Sequence, residues 1–157
     1  MPLAHVSLPT GKNPANFAAM REFYTAALKP LGFAPYMDRP EMFIFGLGVR
    51  GGGGGGGGGG VALAPDFWLH FGYGNRDVEE GEREREREKY LGGTHVAFAA
   101  ESREKVDEWY EAAIKAGGTC NGKPGFRKEY AETYYAAFVL DPLGNNVEAL
   151  HFAIPSH

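Results

Sequence analysis

Two stretches of this sequence, Phe23–Phe33 (FYTAALKPLGF) and Trp109–Thr119 (WYEAAIKAGGT), carry Tyr, Ala, Ala, Lys and Gly at one constant offset. Each reads as the end of an amphipathic helix closed by glycine. The first helix is signalled by Asn13 as N-cap and Pro14 at the first helical position. Phe17, Met20, Tyr24, Ala27, Leu28 and Leu31 form its apolar stripe, and Gly32 stops it. The second begins near Ser102, carries Val106, Trp109, Tyr110 and Ala113 on its stripe, and stops at Gly117 and Gly118. An alternating strand precedes each helix: HVSL at His5–Leu8 and HVAF at His95–Phe98. Strand-like sequence follows each: EMFIFGLGV and DFWLHF in the first half, YYAAFVLDP and NNVEALHF in the second. The chain is a repeat of two β-α-β-β-β modules. The expected fold is α+β, with the two modules forming one curved sheet, an open cup on its free face and helices on the outer face.

The boundaries follow from composition. Module one covers about 1–75, a charged linker about 76–91 and module two about 92–154, all within a single domain. Gly51–Gly60 is an unbroken glycine run with nothing to bury and maximal backbone entropy to lose, so it reads as a flexible insertion. Its match to a nucleotide-loop pattern is empty, because no helix start and no Gly-Lys-Ser/Thr follows. EEGEREREREK at Glu79–Lys89 places like charges four apart, which opposes a helix and reads as a solvated loop. A net charge of −4 argues against a nucleic-acid partner. The single cysteine, Cys120, excludes an internal disulfide and fits a reducing compartment. With no basic-then-apolar leader and no apolar run of about 20 residues, the expectation is a soluble cytoplasmic protein with no membrane contact.

The pieces HVSLPT, MREFYTAALKPLGF, THVAF and YYAAFVLDPLGNNVEALHF together resemble the glyoxalase/bleomycin-resistance/dioxygenase family, the vicinal oxygen chelate superfamily. The last piece is the most specific. In metal-using members the ligands come from the first and last strands of each module. Carried over, the resemblance implies a divalent metal (Zn, Ni, Fe(II) or Mn) held by His5, His95 and Glu148, with Glu148 also the candidate catalytic group. Strand alternation agrees. It sets His5 opposite Val6 and Leu8, His95 opposite Val96 and Phe98, and Glu148 opposite Val147 and Ala149. If the apolar neighbours cover the helices, all three polar groups face the cup. A carboxylate in the last apolar strand then gains a positive partner, which it needs once buried.

Other readings stay open. Both histidines could be ordinary sheet residues bonded to backbone, and Glu148 could pair with Arg127 of GFRKEY. The fourth ligand position falls on Trp68 or on Phe67, depending on a one-residue slip of DFWLHF, and neither is an acid. Classical glyoxalase I chemistry uses two opposed carboxylates, whereas extradiol dioxygenases and fosfomycin-inactivating thiol transferases use His-His-Glu. In the family a histidine often follows the tyrosine of the GFRKEY loop; here Ala131 follows Tyr130. Candidate pocket residues are Trp68, His70, Arg127, Tyr130 and Tyr135; Trp68, Tyr134 and Tyr135 read first as packing, with pocket lining the alternative, and His151 reads as structural. The resemblance implies a small oxygen-bearing substrate, a homodimer, and lyase/isomerase, dioxygenase or thiol-transferase chemistry. The rival is a metal-free binding protein of the bleomycin-resistance type.

Overall fold

The computed structural model describes residues 5–49, 66–72 and 92–152. The glycine run and the charged linker lie outside the described residues. The expected α+β repeat is present. Module one contains β1 (Val6–Pro9), α1 (Pro14–Ala27), β2 (Phe33–Arg39), β3 (Ile44–Val49) and β4 (Phe67–His70). Module two contains β5 (His95–Ala99), α2 (Arg103–Lys115), β6 (Thr119–Phe126), β7 (Tyr134–Leu140) and β8 (Asn146–Phe152). The strand orders are β1-β4-β3-β2 and β5-β8-β7-β6, so each module builds its own four-stranded mixed sheet with the same topology.

The helix signals act as their chemistry dictates. Asn13 accepts a hydrogen bond from the Ala15 amide, and Ser102 accepts one from the Lys105 amide. A 3₁₀ turn, Lys29–Leu31, ends on Gly32 at φ 85°, and Gly117 takes φ 97° after α2. Gly118 serves differently. A Cβ there would lie 2.4 Å from Val139 Cγ1 and 2.8 Å from Phe23 Cε2, so a side chain is excluded where the two modules meet. β2 and β6 are edge strands, which is how they tolerate Pro35 and Pro124.

One apolar core serves both modules. Phe17, Met20, Phe23 and Tyr24 of α1 meet Val106, Trp109 and Ala113 of α2 in the same buried cluster as the inward faces of both sheets. Phe98 of module two sits edge-on to Phe33 and Phe67 of module one, with ring centroids 5.5 and 5.6 Å away. The polar link is Tyr24, fully buried, whose hydroxyl donates to Asp141 Oδ2 at 2.8 Å. Asp141 opens the DPLGN turn, and its other bonds hold that turn. Oδ1 accepts from the Leu143 and Asn145 amides, and Oδ2 accepts from the Asn145 side chain. The buried carboxylate is thus satisfied by four bonds, three from its own turn and one from the neighbouring module.

Burial first, and then the Asp141 carboxylate, push the Tyr24 hydroxyl well above its ordinary value. Stability from this raised group is fully present below about pH 10, where tyrosine of the unfolded chain ionises, and is lost as pH rises beyond it. Tyr24→Phe should cost about 2 kcal/mol at pH 7, the loss of one buried charge-assisted bond. Urea unfolding at pH 7 and pH 10.5 (about the tyrosine range) should show the two proteins converging at the higher pH. A constant gap would contradict this role.

Candidate functional site

Strand register decides which side chains share a face. β5 pairs with β8 in parallel, with Val96 opposite Val147 and Ala97 opposite Glu148; β7 sets Phe138 opposite Glu148. Val96, Val147, Ala149 and Val139 go to the core. His95, Asn146, Glu148, Phe138, Tyr134 and Tyr130 line a hollow of about 330 Å³ on the free face. His95 and Tyr130 thus share one hollow with the Glu148 carboxylate.

Glu148 is only 3% exposed, and two groups meet it. Tyr134 donates its hydroxyl to Oε1 at 2.7 Å, and His95 Nε2 lies 3.1 Å from Oε2. Burial first, then Glu148, hold the Tyr134 hydroxyl up at about 12, so it stays a donor across the physiological range. His95 Nδ1 lies 3.1 Å from the Asn146 carbonyl oxygen and 3.0 Å from the Asn146 side-chain nitrogen. Asn146 Oδ1 in turn accepts from Asn121 Nδ2 at 3.0 Å. One residue thus offers Nδ1 both an acceptor and a donor. His95 can present Nε2–H to the carboxylate, or keep its proton on Nδ1 and present a bare Nε2.

That donor set fits a divalent ion in part. A neutral imidazole nitrogen and a carboxylate oxygen that share one ion of normal bond length stand about 3 Å apart. A carbonyl behind Nδ1 is the usual support for such a ligand. The third predicted ligand, His5, is not with them. It lines a separate hollow of about 510 Å³ on module one, with Ser7, Met37, Phe43, Ile44, Trp68 and His70. Among the described residues, no group of three or more His, Cys, Asp or Glu side chains could hold a metal. Among the described residues of one chain, the three predicted ligands are divided two and one between two hollows.

The register also resolves the open slip. Val6 pairs with Phe67 just as Val96 pairs with Val147, so Trp68 stands where Glu148 stands and His70 shares its face. By the same equivalence Ser7 replaces Ala97, and Ser7 Oγ lies 2.6 Å from His70 Nδ1. Two pocket expectations change. Tyr135 turns to the helix side, where its hydroxyl donates to Asp107 of α2 at 2.8 Å; the adjacent Tyr134 is the one in the hollow. Arg127 does not reach Glu148. Its guanidinium donates to the Lys123 and Phe126 carbonyls and lies 5.4 Å from the centre of the Phe138 ring. His151 sits on the other face with Nδ1 against the Ala100 carbonyl, as expected. Asn146 is the site residue the sequence reading missed; Tyr134, read as packing with pocket lining the alternative, lines the hollow. Strand alternation carries the signal for Tyr134, since 134 and 138 share one face at period two and 138 is the strand partner of 148.

Tyr134→Phe removes one bond from a carboxylate that stays buried. It should lower stability by about 2 kcal/mol, read as a shifted urea midpoint at unchanged slope. An unmoved midpoint would mean that Glu148 is not held this way.

No helix among the described residues is long and apolar enough to cross a membrane. No functionally curated protein matches the chain. Solved structures do. A glyoxalase/bleomycin resistance protein from Albidiferax ferrireducens T118 is 25% identical, with 94% of this chain and 97% of that one covered at a TM-score of 0.59. A glyoxalase/bleomycin resistance protein/dioxygenase family enzyme from Burkholderia phytofirmans PsJN is 18% identical, covering 98% and 100% at 0.59. A glyoxalase-related enzyme from Fulvimarina pelagi is 17% identical, covering 96% and 88% at 0.56. The latter two show the fold alone. A family model matches residues 3–149, and that near-complete span, on the paired topology described above, makes the chain a member of the Glyoxalase/Bleomycin resistance protein/Dioxygenase superfamily.

Proposed function

We propose that this protein is a glyoxalase-like metalloenzyme of the cytoplasm that acts on a small oxygen-bearing substrate. Its centre is the His95–Glu148 pair, completed by His5 of a second copy in a homodimer. The observation that carries this is the 3.1 Å approach of His95 Nε2 to a buried carboxylate, with His5 facing a hollow of its own. A dimer that sets module one of one copy over module two of the other joins the two hollows twice, once on each side of the two-fold axis. A bound divalent ion would supply Lewis acidity, stabilising negative charge that develops on substrate oxygen.

The chain's own residues would do the rest. Asn146 supports either His95 tautomer, so the proton displaced from Nε2 has a place on Nδ1 against the Asn146 carbonyl. Tyr134 occupies Oε1, which leaves Oε2 as the working oxygen of Glu148. Phe138 and Tyr130 wall the hollow and limit water around the reacting oxygens. One observation favours the rival, a metal-free binding protein of the bleomycin-resistance type: without any ion, Glu148 already accepts a hydrogen bond from Tyr134 and has His95 Nε2 within 3.1 Å.

Thermal melts with EDTA and with Zn, Ni or Mn separate the two. Metal should stabilise the wild-type protein by about 2.7 kcal/mol at a hundredfold excess over Kd, and Glu148→Gln should abolish that gain. His5→Ala should abolish it too. Refolding a mixture of Glu148→Gln and His5→Ala chains should then restore about a quarter of the metal sites, because each mixed dimer holds one intact set. No recovery in the mixture contradicts the shared centre. No metal effect on the wild type leaves the binding-protein reading.

A further inference from the structure

We infer that the module-one hollow is a recognition site for a neutral, planar molecule that carries a carbonyl oxygen. The inference rests on the small-molecule reading above, but not on its metal.

The repeat makes the comparison direct. Where module two sets Glu148, Ala97 and Leu150, module one sets Trp68, Ser7 and His70 at the equivalent register. The carboxylate is replaced by an aromatic face, and a hydroxyl–imidazole pair is added beside it. His5, Met37, Phe43, Ile44 and Leu69 complete the wall, and among the described residues no Asp, Glu, Lys or Arg side chain lines the hollow. Asp38, next to Met37, is on the other side of β2, paired with Arg21 of α1. Burial holds the His70 imidazole below its ordinary value, so it is neutral at pH 7.

The proton inventory limits what the pair offers. Among the described residues the Ser7 hydroxyl has one acceptor, His70 Nδ1, at 2.6 Å. With Ser7 donating, His70 carries its own proton on Nε2, which has no partner among the described residues. A neutral imidazole with one N–H donor wants one acceptor oxygen. Trp68 offers a flat apolar surface for stacking beside it. Among the side chains that line this hollow, a carboxylate ligand would find no Lys or Arg to replace its lost hydration, and an ammonium ligand would find no carboxylate. The hollow, at about 510 Å³, is of ordinary ligand-site size.

Four probes of one size isolate these features: acetophenone, ethylbenzene, benzoate and benzylammonium, titrated into EDTA-treated protein. Binding is followed by the ¹H–¹⁵N shift of the Trp68 indole, with the core Trp109 indole as internal control. Acetophenone should bind tightest. Ethylbenzene, lacking the acceptor, should bind about tenfold more weakly, and the two charged probes at least as weakly. His70→Ala should reduce acetophenone to the ethylbenzene level, and Ser7→Ala should weaken it by releasing the tautomer. The wild-type series decides the matter should either variant fail to fold. Benzoate binding as tightly as acetophenone would overturn the inference, as would shifts that bypass the Trp68 indole. Because metal is absent throughout, loss of this ranking with metal uptake intact removes only this inference, and the ranking without any metal uptake supports it while the metal reading falls.

Discussion

Each sheet in this protein has one face covered by a helix, and that single constraint sorts nearly every side chain with consequence. Apolar residues at alternate positions of β1, β4, β5, β7 and β8 must meet α1 and α2, so whatever lies between them goes to the free face. Glu148 reaches the hollow because Val147 and Ala149 are held in the core, and His95 reaches it because Val96 and Phe98 are. Parallel pairing of the first and last strands then brings residues from opposite ends of a module side by side. The helices themselves share one core, and the Tyr24–Asp141 bond fixes the polar turn of module two against the helix of module one.

How much of this was legible follows from which signals are local. The repeat, both N-caps, both glycine stops and the apolar stripes could be read directly, because each rests on chemistry within a few residues. β2 and β6 were not named from sequence, since FAPYMDR and TCNGKPGF lack a clean alternation and carry proline. Their edge positions remove the demand for one. The identity of the residue opposite Glu148 in the repeat depended on register, which two equally plausible string alignments left undecided; the pairing of Val6 with Phe67 decides for Trp68. Tyr135 and Tyr134 are neighbours of the same type, so only the alternation of β7 could tell pocket from packing. The division of the predicted ligand set between two hollows is a property of how the modules sit, and no local pattern reports that.

The two modules share topology while their free faces have diverged. One presents a buried carboxylate with an imidazole; the other presents an indole, two imidazoles and a hydroxyl. Duplicated modules commonly keep their core positions, where packing tolerates little, and vary the face that packing leaves alone. Here that variation gives complementary halves: one suited to hold charge and one suited to hold a flat, uncharged surface. Neither hollow alone contains His5 together with Glu148, so a centre using all three proposed ligands requires a second copy of the chain.

Anomalous X-ray scattering from crystals grown with Zn or Co tests that arrangement most directly. The account predicts a single peak per site bonded to His95 Nε2, Glu148 Oε2 and an imidazole nitrogen of His5 from the other subunit, with Tyr134 still on Oε1. A peak that takes His5 from the same chain, or one that omits Glu148, would contradict it.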